Sequence, residues 1–147
     1  VTWEQVVQRL TEAHNYWLCT VRPNGQPHVI PKWGVWVDDK FYFDGSPKTR
    51  HARNIAENPK VAVHLESGND VVIIEGDCEI LSKPEAALAE QVAAAYTEKY
   101  AAQGYAPEPS QWDDGGLFAV VPRMALAWTS FVDDPTKFVF DWEEPLS

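Results

Sequence analysis

Alternating apolar and polar residues dominate this chain, and the alternation predicts more β-strand than α-helix. Stretches with a period of two, rich in β-branched and aromatic residues, are typical of half-buried strands. Such stretches cover residues 16–22, 27–37, 40–43, 60–66, 71–82, 117–128 and 137–141. Asn24-Gly25 and Asp38-Asp39 lie between successive stretches and predict tight hairpin turns. Neighbouring strands are therefore expected to run antiparallel.

Three of these strands contain a residue that disturbs regular pairing. Pro31 cannot donate a ladder hydrogen bond, so it is expected at a sheet edge or at a bulge that interrupts the strand. Gly76 indicates a bend or a bulge within its strand. Pro122 either divides residues 117–128 into two strands or bends one strand.

Apolar residues at helical spacing and local capping signals predict three helices, over residues 3–13, 46–58 and 84–103. Thr2 and Gln5 form a capping box at the start of the first helix. Ser46 is the predicted N-cap of the second helix, and Pro47 suits its first position. The same helix is expected to end at Asn58, because the following proline disfavours helical geometry there.

The order of these elements predicts a mainly β fold with α-helices. About six strands with hairpin signals, together with three helices, fit a split or closed antiparallel β-barrel whose helices cover its ends and gaps. A Rossmann fold is not expected, since the chain lacks a G-x-G-x-x-G run. One domain is expected over residues 1–147, with a frayed acidic tail at about 141–147.

The composition limits the classes of function. The chain has 12 Lys and Arg residues against 22 Asp and Glu, a formal net charge of −10. Binding to nucleic acid or to an anionic membrane is therefore not expected. No apolar run would span a bilayer and no signal peptide is recognised, so a cytoplasmic location is expected. Cys19 and Cys78 are expected to be reduced and buried, and no metal site is predicted.

One basic cluster stands out against this acidic background. Lys48, Arg50, His51 and Arg53 fall near the start of the second predicted helix. Cations are disfavoured there, because the helix dipole already places positive charge at that end. A phosphate bound between them would compensate both charges. The alternative is a solvated basic face on a short surface helix.

Three runs of the sequence together resemble one known family. They are residues 20–31 (TVRPNGQPHVIP), 41–43 (FYF) and 49–63 (TRHARNIAENPKVAV). The chain resembles the pyridoxamine 5′-phosphate oxidase-like proteins, the FMN-binding split barrels, together with relatives that use the deazaflavin coenzyme F420. The resemblance extends over about residues 1–130. It implies a six-stranded split barrel that forms a homodimer, with two cofactor sites at the dimer interface.

The resemblance also implies which residues hold the cofactor phosphate. Arg50 would be the main phosphate ligand through a forked guanidinium contact, and Thr49 would donate a hydroxyl. His51 stands where the family has a lysine, which weakens the positive charge at neutral pH. Lys48 and Arg53 would compensate for that loss.

The isoalloxazine ring of the family lies along the long return strand. The matching candidates here are Val29, Ile30, Pro31, Lys32 and Trp33. Trp128 belongs either to the ring pocket or to the core. Trp36, His28 and His64 are interpreted as structural residues.

The expected function is an oxidoreductase that transfers hydride to or from a small organic substrate. The cofactor, FMN or alternatively coenzyme F420, would supply the chemistry, and no catalytic acid or base is assigned. Pyridoxamine phosphate oxidation is not expected, because Arg123 is the last arginine and the substrate-phosphate residues of those enzymes have no match. The alternative is a non-catalytic protein that binds a flavin, a deazaflavin or a tetrapyrrole.

Overall fold

The computed structural model describes residues 1–142 and shows eight strands with three α-helices. The strands are β1 (Tyr16–Val21), β2 (Pro27–Lys32), β3 (Val35–Val37), β4 (Lys40–Asp44), β5 (Lys60–His64), β6 (Val71–Leu81), β7 (Leu117–Trp128) and β8 (Thr136–Val139). The helices are α1 (Trp3–Glu12), α2 (Arg50–Glu57) and α3 (Ala86–Tyr100). Two short 3₁₀ helices, Ala101–Gln103 and Pro109–Trp112, follow α3.

All eight strands belong to one antiparallel sheet that curls into a split barrel. Seven of them follow the order β2-β1-β5-β6-β7-β4-β3, and β8 pairs with β7. The two end strands, β2 and β3, are neighbours in the chain and are joined by Trp33-Gly34. The barrel is therefore open along one seam that the chain crosses at this short corner. This architecture confirms the predicted mainly β split barrel.

The irregular residues lie where the sheet tolerates them. Pro31 pairs with Trp17 on the edge strand β2, as a proline in a sheet requires. The strand interruption predicted at Pro31 instead falls at Trp33-Gly34. Gly76 lies at a register shift between β6 and β7, opposite Pro122, which confirms the bulge. β7 continues through Pro122 as one bent strand.

Two apolar clusters form the core. The first fills the barrel beneath α1 and α2 and includes Phe41 and Phe43 of β4. The second lies outside β3, β4 and β7, where α3 covers Tyr42. Both faces of β4 are consequently buried, which explains its run of three aromatic residues. Trp36 is 7% exposed and belongs to the first cluster, as predicted.

The helix boundaries differ from the prediction at one important place. α1 begins with the predicted capping box of Thr2 and Gln5. α2 begins at Arg50 with Thr49 as its N-cap, so the prediction of Ser46 as the cap was wrong. Ser46 instead accepts a hydrogen bond from the Lys48 amide and forms a turn before the helix. α2 ends at Glu57, close to the predicted end.

The end of the described chain is packed against the sheet. The Trp142 indole N–H donates to the carbonyl oxygen of Pro122 at 2.8 Å, and its ring stacks on Phe140. Fraying was therefore the wrong prediction for Trp142. Residues 143–147 of the predicted acidic tail lie outside the described residues. None of the helices within residues 1–142 is long and apolar enough to span a bilayer.

Candidate cofactor-binding site

The N-terminus of α2 brings together the predicted cationic cluster. Thr49 caps the helix by accepting a hydrogen bond from the Ala52 amide at 3.2 Å. Arg50 and His51 are the first two helical residues, where amide groups lack intrahelical partners and the dipole is positive. Lys48 and Arg53 are exposed on either side of them. The helix thus starts three residues later than predicted, at Arg50 instead of Pro47, and the cations lie nearer its positive end.

These cations have no acidic partners within residues 1–142. The ion pairs of that part of the chain both involve Asp77, which is bound by Lys60 and Arg123. Arg50 Nη1 lies 3.4 Å from Asn54 Oδ1, and Asn54 in turn donates to the Thr20 hydroxyl at 3.0 Å. Asn54 and Thr20 are buried, so a fixed amide orients the Arg50 guanidinium. Its remaining donors are suited to a forked contact with an anion.

The pKa of His51 reflects its burial and the positive charges near it. Its side chain is buried at 6% exposure, and its Nε2 lies 3.4 Å from the Thr49 hydroxyl oxygen. Burial, and to a smaller extent the charges of Lys32 and His28, together lower the pKa of His51 to about 4. His51 is therefore neutral at pH 7 in this arrangement. A bound anion would oppose this effect.

Strand β2, which is predicted to contact the cofactor ring, has two different faces. Val29, Pro31 and Trp33 are exposed on one side, with 48% of Val29 and 39% of Trp33 accessible. Ile30 packs against the core on the other side, and Lys32 is half-buried there. The structure therefore divides these five residues between an outward surface and the side that faces Asp44 and Phe43.

A cavity of about 590 Å³ lies beside the end of β2. Pro31, Lys32 and Trp33 form one wall, and Asp44, Gly45 and Ser46 form the floor that leads to α2. The loop between α3 and β7 supplies the remaining lining residues, Tyr105, Gln111, Trp112, Gly115 and Gly116. The cavity thus lies between the end of β2, which is predicted to contact the cofactor ring, and residues 44–46, which precede the cationic cluster.

Asp44 holds the α3–β7 loop in place, and the sequence analysis did not identify Asp44 as a site residue. The carboxylate accepts hydrogen bonds from Tyr96 (3.3 Å), Trp112 (3.3 Å), Gln111 (3.4 Å) and Tyr105. These partners lie 52 to 68 residues away along the chain, so no local pattern indicates them. The Gly45 amide also donates to the Gly116 carbonyl at 3.0 Å. The loop is therefore fixed to the strand that leads into the site.

Trp128 is separated from the other predicted site residues within one chain. It is half-buried at the far end of β7 and contacts Phe131. Leu117, at the other end of β7, is the residue that pairs with Asp44. Eleven residue steps of an extended strand separate the two ends, about 36 Å at the usual rise before curvature is counted. Trp128 cannot line the same cavity of its own chain.

The two strand histidines occupy different environments. His28 is half-buried, and its Nδ1 lies 3.4 Å from Arg22 Nη2. His64 stacks on Trp17, and its Nδ1 lies 2.7 Å from the Leu65 carbonyl oxygen. Within residues 1–142, no cluster of three or more His, Cys, Asp or Glu side chains is arranged to hold a metal ion.

The fold defines this protein as a split-barrel protein with a cationic helix start beside a cavity. The family model described as pyridoxamine 5′-phosphate oxidase matches residues 2–129. The chain belongs to this family, which confirms the resemblance seen in the sequence. No curated protein sequence matches the chain.

Several solved structures share the fold. A structure named F420 reductase is 27% identical, with a TM-score of 0.59, and the match covers 80% of this chain and 94% of that one. A conserved hypothetical protein from Mycobacterium tuberculosis is 22% identical, with a TM-score of 0.69 and coverage of 85% and 82%. The heme storage protein HutZ from Vibrio cholerae is 22% identical, with a TM-score of 0.62 and coverage of 93% of both chains.

Proposed function

We propose that this protein is an oxidoreductase that binds FMN or coenzyme F420 and transfers hydride to or from a small organic substrate. The observation that carries the proposal is the group of cations at the start of α2, which lacks acidic partners in the described chain. A cofactor phosphate would neutralise these charges and accept hydrogen bonds from the first amides of the helix. When bound, such a cofactor supplies the hydride chemistry.

The proposed phosphate ligands are the residues around the α2 N-terminus. Arg50 would make the forked contact, and Thr49 would donate its hydroxyl, which now lies near His51. His51 is neutral without a ligand and would donate a hydrogen bond or gain a proton when the anion binds. Lys48 and Arg53 are exposed and would add longer-range attraction.

The proposed ring contacts lie along β2. Val29, Pro31 and Trp33 offer an exposed apolar surface, and the edge strand leaves main-chain groups without a neighbouring strand. Ile30 would support this surface from the core side. Pro31, Lys32 and Trp33 also line the cavity, and Lys32 is half-buried beside Asp44 and Phe43. Its proposed contact is therefore with the edge of the ring or with the substrate.

A homodimer is part of the proposal, since the outer face of the sheet offers a surface for a second copy. One partly exposed row crosses five neighbouring strands and consists of Pro31, Trp17, His64, Ile73 and Leu126. Its mostly apolar character matches that of subunit interfaces. Trp128 follows Leu126 on the same side of β7, and in a dimer it would reach the site of the partner chain, which it cannot do in its own.

The similarity to the structure named F420 reductase supports the deazaflavin alternative. The compact cluster at α2 suits the single phosphate of FMN, since a longer acidic cofactor tail would need a longer basic surface. We keep both cofactors in the proposal, and pyridoxamine phosphate is not expected as the substrate.

A non-catalytic tetrapyrrole-binding protein is the second candidate. It is favoured by His64, because the Leu65 carbonyl fixes the Nδ1 proton and leaves Nε2 as an acceptor. Metal-bound histidines commonly have this arrangement. A hemin titration followed by absorbance would test it. A Soret shift that His64→Ala removes would favour this candidate over the oxidoreductase.

The deciding experiment is a titration of the purified chain with FMN and, separately, with coenzyme F420. We expect saturation at one site per chain with one of the two. Arg50→Ala should weaken binding by about 2–3 kcal/mol, the range for a hydrogen bond to a charged group. Lys83→Ala, on an exposed turn outside the cluster, is the matched control and should leave affinity unchanged.

Three results would count against the phosphate assignment. One is equal affinity of Arg50→Ala and the parent chain, and another is an equal loss in Lys83→Ala. The third is saturation by neither cofactor, in which case the cluster is a solvated helix face. If one cofactor does saturate the chain, reoxidation of the reduced holoprotein by candidate acceptors would separate an enzyme from a carrier.

A further inference from the structure

The cavity beside β2 extends beyond the cationic cluster and has walls of its own. Its 590 Å³ is within the range of sites for small organic molecules. Neither Arg50 nor His51 lines it. The phosphate contacts and this cavity are therefore adjacent but separate spaces, joined by Gly45 and Ser46.

Lys32 is the cationic group in the cavity wall. Its Nζ donates to the Asp44 carbonyl oxygen at 3.0 Å, and it lies 5.6 Å from the centre of the Phe43 ring. An ammonium group has three donors, and the ion pairs within residues 1–142 do not include Lys32. Burial lowers the pKa of Lys32, while the charge of Asp44 opposes that shift. Lys32 can therefore donate further hydrogen bonds into the cavity.

The Asp44 carboxylate balances the charge of Lys32, whereas it is the Asp44 backbone carbonyl that accepts a hydrogen bond from Lys32 Nζ. The Asp44 carboxylate is already bound by Tyr96, Tyr105, Gln111 and Trp112. The cavity thus contains one positive and one negative group. The Asp44 carboxylate already accepts four hydrogen bonds, whereas Lys32 Nζ uses one of its three donors. This combination favours a neutral ligand with an acceptor oxygen over a fully charged anion.

The remaining walls favour a flat ligand. Trp33 stacks on Tyr100 with a ring separation of 4.7 Å and an angle of 11°, so its orientation is fixed. Tyr105, from the α3–β7 loop, also lines the cavity and is held by Asp44 and Gln111. Gln111 uses its amide nitrogen in these contacts, which leaves its carbonyl oxygen as an acceptor for a ligand.

We infer that this cavity is the substrate subsite of the proposed oxidoreductase and binds a small, planar, neutral molecule through a carbonyl-type oxygen. Lys32 donates a hydrogen bond to that oxygen, while Trp33 and Tyr105 enclose the flat part of the molecule. The role of the ligand as a substrate rests on the proposed function, whereas its binding to the cavity does not. The inference distinguishes Lys32 from the phosphate ligands and assigns the α3–β7 loop to ligand selection.

The test compares three probes of nearly the same shape by NMR titration of the ¹⁵N-labelled full chain. Acetophenone has a carbonyl oxygen, α-methylstyrene has a methylene group in its place, and benzoate carries a full negative charge. We expect acetophenone to shift the Trp33 indole signal and to bind about tenfold more tightly than α-methylstyrene. Benzoate should bind no more tightly than acetophenone.

Variants of Lys32 test whether the affinity for the probe depends on a hydrogen bond from Lys32 or only on the shape of the cavity. Lys32→Met should reduce acetophenone affinity about tenfold and leave α-methylstyrene affinity unchanged, and Lys32→Arg should restore most of the loss. Lys83→Met, on an exposed turn, is the control. The dispersion of each spectrum reports whether the variant is folded.

Equal affinities for acetophenone and α-methylstyrene would overturn the inference, as would tenfold tighter binding of benzoate. Unchanged acetophenone binding by folded Lys32→Met would do the same. The titrations are made on the cofactor-free chain and again with FMN present. Loss of FMN binding alone would count against the proposed function, whereas loss of the probe preference alone would count against this subsite.

Discussion

At the scale of single residues, His51 links the charge of the proposed site to stability. Its pKa is lowered from 6.5 to about 4 in the folded chain. Between these values the unfolded chain binds the proton more tightly, so the stabilisation present above pH 6.5 is lost as the pH falls towards 4. We expect a loss of up to about 3 kcal/mol from this residue, at about 1.4 kcal/mol per pKa unit.

Urea unfolding of the ligand-free chain between pH 7 and pH 4 measures this loss. His51→Gln should show a shallower dependence of unfolding free energy on pH, because it lacks the titrating group. Inorganic phosphate in excess should reduce the dependence in the parent chain, since an anion favours the protonated imidazole. Parallel curves for the parent chain and His51→Gln would show that other groups control the pH response.

The residues of the basic cluster were predictable because they lie within six positions of one another. The cap was not, because Ser46 and Thr49 are both good N-cap residues. The structure selects Thr49, since Ser46 forms a turn with Lys48 and Gly45 is bonded to Gly116. That last contact joins residues 71 positions apart, which a local pattern cannot reveal.

At the scale of elements, Asp44 determines where the α3–β7 loop lies. We expect Asp44→Asn to lower the unfolding free energy by about 1–3 kcal/mol, because several buried donors lose a charged acceptor. The loop should also exchange its amide protons faster, which hydrogen exchange measures residue by residue. Asp113→Asn, an exposed change in the same loop, is the control and should change neither quantity. Equal exchange in both variants would remove the assigned role of Asp44.

The bulge between β6 and β7 gives a second prediction at this scale. A Cβ added at Gly76 would lie 2.2 Å from the Val121 carbonyl oxygen, so the backbone must move. Gly76→Ala should destabilise the protein by about 1–3 kcal/mol, the usual cost of overpacking. Gly68→Ala has open space around its Cβ and serves as the control in the same thermal or urea unfolding series. A Gly76→Ala chain as stable as Gly68→Ala would mean that the bulge relaxes freely.

The strands themselves were largely predictable, since the period-two pattern follows the buried face of each one. The corner between β2 and β3 was not, because Pro31 is a stronger local signal than Gly34. Gly34 is required there by a distant contact: an added Cβ would lie 2.3 Å from the ring of Phe41. Its amide and carbonyl also bond the Tyr100 hydroxyl, 66 residues further along.

At the scale of the whole molecule, the outer face of the sheet predicts the assembly state. We expect the purified chain to have twice the monomer mass in analytical ultracentrifugation. Ile73→Arg places a charge on the partly exposed row and should raise the dimer dissociation constant at least tenfold. Ile80→Arg lies on the same strand, is 50% exposed, and points to the other side, so it should leave the mass unchanged. Loss of dimer in both variants would indicate general destabilisation.

The pairing of β4 has a consequence for how this protein is made. Among the strands of residues 1–142, β4 pairs with β3 and with β7, which follows it by more than 70 residues. During synthesis, the segment from Lys40 to Asp44 must wait until Leu117–Trp128 has left the ribosome before its second edge is covered. At the usual rates of about 5–20 residues per second, that interval lasts several seconds. The cavity beside the proposed cofactor site, which β4 and the α3–β7 loop line together, is therefore among the last parts of the nascent chain to form.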